Sequence, residues 1–355
     1  MASQVYAHEA LVDLPGVTFS TMRELLMAQV QIARLRVLED APQRVTIETA
    51  HGLVGLRPGV TAEAAGMVAA TDEHWLFVMK NAVTQQMQDM LPTLAEAMRW
   101  SDANEQTTLP PNFTFVRVHD VRPLGPEFLR VTLEGEDLSR HGNDAIHFRL
   151  VQPPIGYPVE WPGLAPNGSV QWPDGLGAPH RPVYTTRSID YRRNRLVTDV
   201  FVHEGGRTTA WAQKLMSGSR DDRIVGVLGP SGGGILSAKN VLMASDETGF
   251  PAAARLLENL PENATGTLYL EAEHGAACAY PFIAPEGIDL VWLSRAKGHV
   301  LADAVLSALP SHRGAQIWFA GERKQAMALR TAAKDAGWEA SALRISAFWR
   351  AEGDV

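Results

Sequence analysis

The sequence predicts three parts in series: a small α+β domain over residues 1–105, an antiparallel β-barrel over 106–239, and an α/β domain built on a parallel sheet over 240–355. Three observations carry that reading. A polar, proline-containing stretch at 101–111 divides a mixed helix and strand pattern from a strand-rich one. Short apolar runs punctuated by turn residues then repeat as far as Lys239, the pattern of a small barrel. From Asn240 onward strand-like runs alternate with helical ones, which indicates repeated βα units and a doubly wound sheet.

In the first part, residues 22–38 follow helical spacing, and 44–49 and 52–56 read as strands. Residues 85–100 predict an amphipathic closing helix, with Met87, Met90, Leu91, Leu94 and Met98 on one face as core. In the second part the expected strands are 113–118, 128–133, 146–151, 196–202 and 223–228, with one helix at 208–216. The stretch 156–177, rich in Pro, Gly and Trp, reads as a long surface loop able to shape the mouth of a site. In the third part strands at 240–244, 267–272, 289–293 and 316–320 alternate with helices at 248–260, 300–309 and 322–336.

Composition narrows the function classes. A net charge of −8 argues against non-specific nucleic-acid binding. The one cysteine, Cys278, excludes an intrachain disulfide framework and suits a reducing compartment. The start of the chain lacks the apolar segment of a signal peptide, and no run approaches the roughly 18 apolar residues of a membrane helix. A cytoplasmic protein without membrane insertion is expected. The histidines and Cys278 show no zinc spacing. Gly229-Pro230-Ser231-Gly232-Gly233 matches the letters of a nucleophile elbow, but an extended segment comes after it where the elbow needs a helix.

Two motifs carry chemistry. In His180-Arg181-Pro182-Val183-Tyr184-Thr185-Thr186-Arg187 an aromatic and two hydroxyls stand between arginines. Downstream, His203-Glu204-Gly205-Gly206-Arg207-Thr208-Thr209 is a Gly/Thr turn that opens a helix. Together they suit a flavin dinucleotide: tyrosine packs on the isoalloxazine, a hydroxyl reaches the ring edge, and N–H groups at the helix start meet the pyrophosphate.

With these motifs the chain resembles the siderophore-interacting proteins, flavin-dependent ferric-siderophore reductases of the ferredoxin-reductase superfamily. The resemblance runs from about Phe113 to Gly353. It rests on Tyr184 to Arg187, His203 to Ala212, Gly229-Pro230, Ser245 to Ala252, Trp292 to Arg295, Ala320-Gly321-Glu322 and Phe348-Trp349-Arg350. Departures are visible. Pro182 stands where the family carries arginine two residues before the tyrosine, and Ser245 replaces a glycine. Gly206-Arg207-Thr208-Thr209 replaces a Gly-Pro-Ala-Ser phosphate turn. The first part is similar to a small α/β domain of unknown function that accompanies some members.

The resemblance implies FAD on the barrel, NAD(P)H on the parallel-sheet domain and a ferric siderophore as substrate, with iron as cargo. Arg181, Tyr184, Thr185, Thr186, His203, Gly205, Gly206, Thr208 and Thr209 are then the flavin residues, and Trp349 lies where the chain end folds over the flavin. Arg187 pairs with a flavin phosphate or forms a surface salt bridge. Asp246, Glu247, Thr248, Gly321 and Glu322 follow strand ends, where a dinucleotide fold meets its ligand. Arg295 and Lys297 hold a 2′-phosphate, which favours NADPH, or form a solvated basic loop. Arg149 and Arg350 form a basic rim for an anionic chelate or are ordinary surface arginines. A reductase for another acceptor or carrier protein, and a non-catalytic siderophore-binding protein, are the alternatives in other classes.

Overall fold

The computed structural model describes residues 6–33, 35–60, 63–102, 109–219 and 223–351. Residues 103–108 of the expected linker and the chain end from 352 lie outside the described residues. The chain forms two compact units, Met1–Phe113 with Pro153–Pro179, and Thr114–Gln152 with His180–Val355.

The first unit is a five-stranded antiparallel sheet against helices. Its elements are β1 (His8–Leu14), α1 (Phe19–Ala33), β2 (Arg36–Ala41), β3 (Arg44–Glu48), β4 (Gly52–Arg57), β5 (Ala64–Ala70), α2 (Glu73–Met90) and α3 (Pro92–Ala97). The sheet order is β1-β5-β4-β3-β2. The helix expected at 22–38 ends by Ala33, because Arg36–Ala41 pairs with β3 as an edge strand. The helix expected at 85–100 is two helices. It begins at Glu73, where Asp72 caps it by accepting from Trp75 N–H, and it breaks at Leu91. Pro92 enforces that break, since the residue before a proline is driven out of helical conformation. Met87, Leu94 and Met98 are buried in this unit's core, with Met90 and Leu91 packed against it.

The second unit contains β6 (Phe113–Leu124), β7 (Phe128–Glu134) and β8 (His147–Val151). The stretch 156–177 does not stay a loop of the barrel. It carries the hairpin β9 (Gly163–Leu164) and β10 (Val170–Gln171) and packs within the first unit. Asn167 donates to Ala95 O at 2.9 Å, and Val170 N–H to Asn81 Oδ1 at 3.3 Å. The barrel resumes with β11 (Val183–Thr185), β12 (Ser188–Asp190), β13 (Arg195–Phe201), helix α4 (Arg207–Met216) and β14 (Ile224–Ser231). Its order is β11-β8-β14-β6-β7-β13-β12. The corner between β11 and β12 closes it, with Thr186 N–H on Ile146 O and Arg187 N–H on Val197 O.

A parallel sheet of order β17-β16-β15-β18-β19 comes next, made of β15 (Asn240–Asp246), β16 (Thr265–Ala272), β17 (Ile288–Ser294), β18 (Gln316–Glu322) and β19 (Leu343–Trp349). Helices α5 (Phe250–Glu258), α6 (Leu301–Ala308) and α7 (Arg323–Asp335) complete it. β15 and β18 are buried along nearly their whole length, as parallel strands covered on both faces must be. The strand order reverses between β15 and β18, so the ligand crevice of such a sheet opens beside Asp246 and Gly321.

Barrel and parallel sheet share a core in which Phe128 meets Phe250 and Tyr280 at ring separations of 6.1 and 4.6 Å. A buried polar joint holds the same seam. Arg130 forks onto Asp199 at 2.7 and 2.8 Å, and the Tyr280 hydroxyl donates to Asp199 at 2.7 Å. Burial and the neighbouring carboxylate push the Tyr280 hydroxyl far above its usual range. Arg255, buried on α5, donates to the carbonyls of Thr186 and Gly142. Such satisfied buried pairs fix the orientation of the two halves.

Candidate cofactor site

The site begins at a barrel edge. β11 runs antiparallel to β8, with Tyr184 opposite Phe148 and Thr185 opposite His147. The half-buried Tyr184 ring packs against the barrel core, and burial raises its phenol while a hydrogen bond with Thr208 opposes the shift. Thr208 in turn donates to Gln152 Oε1 at 2.9 Å. Tyr184, Thr208 and Gln152 therefore form one chain linking the edge strand to the start of α4.

That helix start is built to receive an anion. Gly206 is its N-cap and offers no side-chain bond, so the first-turn N–H groups are not capped by a side chain. A Cβ at Gly206 would stand 2.8 Å from both His203 Nε2 and Thr209 Oγ1, so a side chain there would have to displace the two that shape the turn. Gly205 adopts φ +73°, a conformation that favours glycine. The Thr209 hydroxyl accepts from His203 N–H at 3.4 Å and pins the turn. Gln152 is 3% exposed, yet its Nε2 has no partner. Exposed Arg207 lies near His180 and lowers that histidine's pKa, after burial, by its charge. Uncapped N–H groups, an orphaned buried amide and a cation match a pyrophosphate, and Tyr184 beside them supplies the aromatic surface a flavin needs. The residues present fit FAD.

His147 faces the same edge. Its Nδ1 lies 3.2 Å from Thr185 Oγ1, and its ring meets Phe348 edge-on at 5.6 Å. Burial, with the charge of Arg255, pushes its pKa down to about 4, so it is neutral at physiological pH. His147 and Gln152 are not among the expected site residues. The only sequence signal for either is its place on or just after β8, the strand that pairs with β11.

The second half of the site lies at the carboxyl ends of the parallel strands. Asp246 Oδ1 accepts from Thr248 N–H at 2.9 Å and from its hydroxyl at 2.5 Å. Trp349 donates its indole N–H to Asp246 Oδ2 at 2.6 Å. Burial raises the Asp246 carboxyl to about 6, against the opposing bonds from Thr248 and Trp349. A Cβ at Gly321 would come within 3.1 Å of Asp246 Oδ2. Glu322 caps α7 by accepting from Gln325 N–H, while its buried Oε1 has no partner. Asp246, Gly321, Glu322 and Trp349 are thus brought together, and Phe348 joins them to His147 on the barrel.

Other expected residues have different partners. Arg187 forks onto Glu258 at 2.7 and 2.5 Å, so the salt bridge, not an open phosphate contact, is what the structure shows. Thr186 is fully buried, its hydroxyl unpartnered, and its carbonyl accepts from Arg255. His203 turns back on its own loop, with Nδ1 3.1 Å from Glu204 O. Arg295 is gripped by Glu247 at 2.5 Å, Glu271 at 3.0 Å and Glu273 at 3.3 Å. Its guanidinium is occupied by protein carboxylates, which compete with any 2′-phosphate, while Lys297 is exposed on the same turn. Arg149 donates to Arg181 O at 3.2 Å, and its pKa is lowered first by burial and then by the Arg181 charge. Arg350 is exposed just past β19.

Residues 116–234 match the family model described as "Siderophore-interacting FAD-binding domain", and 238–352 match "Siderophore-interacting protein". Ferric vibriobactin reductase of Vibrio cholerae is 32% identical over 221 residues, 58% of this chain and 78% of that protein. NADPH-dependent ferric-chelate reductase of Escherichia coli is 28% identical over 248 residues, 68% of this chain and 94% of that one. A siderophore utilization protein from T. fusca superposes with a TM-score of 0.55 at 27% identity, covering 70% of this chain and 96% of that chain.

Proposed function

Because this chain belongs to the siderophore-interacting protein family, we propose that it is an NAD(P)H-dependent, FAD-containing enzyme that reduces ferric siderophores and releases iron(II). The observation that carries this reading is the donor array at the start of α4, joined through Thr208 to Tyr184. It shares a compact unit with a parallel sheet whose switch point opens at Asp246 and Gly321. FAD held there would supply hydride acceptance from NAD(P)H and one-electron donation, which iron(III) requires.

The chain's own residues hold and orient. Tyr184 offers its ring to the isoalloxazine, and Thr185 with neutral His147 offers hydrogen bonds near the ring edge. Arg207, the Gly206 turn and Gln152 Nε2 receive the pyrophosphate. Asp246, Thr248, Gly321 and Glu322 border the crevice for NAD(P)H, with Lys297 as a cation for a 2′-phosphate. Arg149 and Arg350 favour an anionic ferric chelate. Positioning that chelate near the flavin is the main task, since no proton transfer is needed at the metal. The absence, among the described residues, of any helix long and apolar enough to cross a membrane is compatible with action on chelates in the cytoplasm.

The test is reduction of an anionic ferric siderophore by the purified protein with FAD and NAD(P)H, monitored with an iron(II)-specific chelator. Flavin-dependent colour development supports the reading. Reduction of a carrier protein with no reduction of any ferric chelate would replace it.

A further inference from the structure

We propose that the nicotinamide-nucleotide crevice selects NADH over NADPH, with Glu273 as the residue that discriminates between them. The inference rests on the reading of that crevice as the NAD(P)H site and adds which nucleotide it takes. In a dinucleotide-binding fold an acidic residue one strand on from the first turn accepts from the ribose 2′-hydroxyl, or an arginine nearby accommodates a 2′-phosphate. Both residue types stand here. Glu273 follows the end of β16, 26 residues after Glu247, and Arg295 follows the end of the neighbouring strand β17. Their hydrogen bonds decide which one meets the nucleotide.

Arg295 has no fork to offer. Its Nε–H is on Glu273 at 3.3 Å, its Nη1 donates to Glu247 and Glu271 at 3.0 Å each, and its Nη2 donates to Glu247 at 2.5 Å. A single N–H of the guanidinium remains. Two parallel bonds are what make arginine a strong phosphate receptor. Freeing a second N–H would take the cation from Glu247 or Glu271, whose side chains are 3% and 5% exposed.

Glu273 is the opposite case. Its N–H donates to Glu247 Oε1 at 3.1 Å, and its carbonyl accepts from Ser294 Oγ and Ala296 N–H, both at 3.0 Å. The backbone is thereby fixed while the side chain, 53% exposed, projects outward. It is bonded through Oε2 alone, so Oε1 is open to a hydroxyl donor. A ribose 2′-hydroxyl can donate to it, whereas a 2′-phosphate, with roughly two negative charges, is repelled. Glu247, Glu271 and Glu273 together surround one guanidinium, so this corner is negative before a nucleotide arrives. Exposed Lys297 on the same turn gives a 2′-phosphate one cation. That softens the preference without reversing it, since exposed charge pairs contribute little in water.

The experiment measures dissociation constants of NAD+ and NADP+ for the FAD-loaded protein by calorimetry, beside kcat/KM for flavin reduction by NADH and NADPH. NAD+ should bind at least about tenfold more tightly, as a hydrogen bond to a charged group gives. Rising salt should narrow that gap, because screening weakens repulsion between exposed charges. Glu273→Gln keeps the size of the side chain and an acceptor for Arg295, and should narrow the gap about fivefold, chiefly through tighter NADP+. NADP+ bound as tightly as NAD+, a gap that widens with salt, or an unchanged ratio in Glu273→Gln would overturn the proposal. Failure of both nucleotides to bind would overturn the crevice reading, and the proposal with it.

Discussion

The Trp349 indole N–H reaches Asp246 Oδ2 at 2.6 Å, across the strand that lies between them. Gly321 on β18 makes that span possible, because a side chain there would crowd the same oxygen. The tie couples the end of β19 to the crevice at the switch point.

Asp246 makes stability depend on pH. Its carboxyl is raised from the ordinary 3.8 to about 6, so the folded protein binds this proton more tightly than the unfolded chain does. The contribution to stability is fully present below pH 3.8 and is lost as pH rises to about 6. Melting temperature measured against pH for wild type and Asp246→Asn should diverge across that window, with wild type losing relative stability as pH rises. Trp349→Phe removes a bond that lowers this pKa and should move the loss to higher pH. Parallel curves for wild type and Asp246→Asn would show that Asp246 does not titrate there.

Flavin affinity should depend on the chain from Tyr184 to Gln152. Tyr184→Ala removes the aromatic surface and should lower FAD occupancy of the purified protein. Gln152→Leu removes the orphaned amide and should weaken FAD binding by about ten- to a hundredfold if it meets a phosphate oxygen, since hydrogen bonds to charged groups contribute roughly 1.5–3 kcal/mol. Fluorescence titration of the apoprotein measures both. Unchanged FAD affinity in Gln152→Leu would place the pyrophosphate elsewhere.

Arg295→Ala should act on stability before it acts on cofactor choice. It would leave the buried carboxylates of Glu247 and Glu271 with only backbone donors, from Glu273 and Leu301. Because the Arg295 side chain is 37% exposed, solvent screens the pair and the loss is smaller than for a fully buried one, and a denaturant melt would show it as a lowered midpoint. Lys297→Ala should lower kcat/KM for NADPH more than for NADH, with little change in stability. Equal ratios in that variant would leave the 2′-phosphate without a contact at Lys297.

The double variant Arg149→Gln, Arg350→Gln should raise KM for an anionic ferric siderophore while FAD content and NAD(P)H oxidation by the flavoprotein are preserved. The effect should shrink as salt rises, because exposed charges are screened beyond about 10 Å at 0.1 M. A wild-type KM at low salt would remove both arginines from the substrate path.

The parts legible in the sequence are those whose signal is local. The strands of the parallel sheet read as apolar runs because they are buried on both faces, and the Tyr184 and Gly205–Thr209 motifs are short and contiguous. Residues 36–38, the start of β2, merge into the helical pattern because the strand is a largely exposed edge with no turn residue before it. Strand β19, also at an edge and half exposed, presents no apolar run. Gln152 and His147 are hidden because their partners lie 56 and 38 residues away. Distance in sequence also conceals the bond between Arg187 and Glu258, 71 residues apart. Charge alone cannot tell a phosphate contact from such a pair.

The proposed electron path runs from NAD(P)H through FAD bound on the barrel to a ferric siderophore. Anaerobic stopped-flow absorbance of the FAD-loaded protein tests it most directly. NAD(P)H should bleach the oxidised-flavin band, and a ferric siderophore added next should restore that band as an iron(II) trap develops colour. A flavin that NAD(P)H reduces but that ferric siderophore leaves bleached would contradict the account.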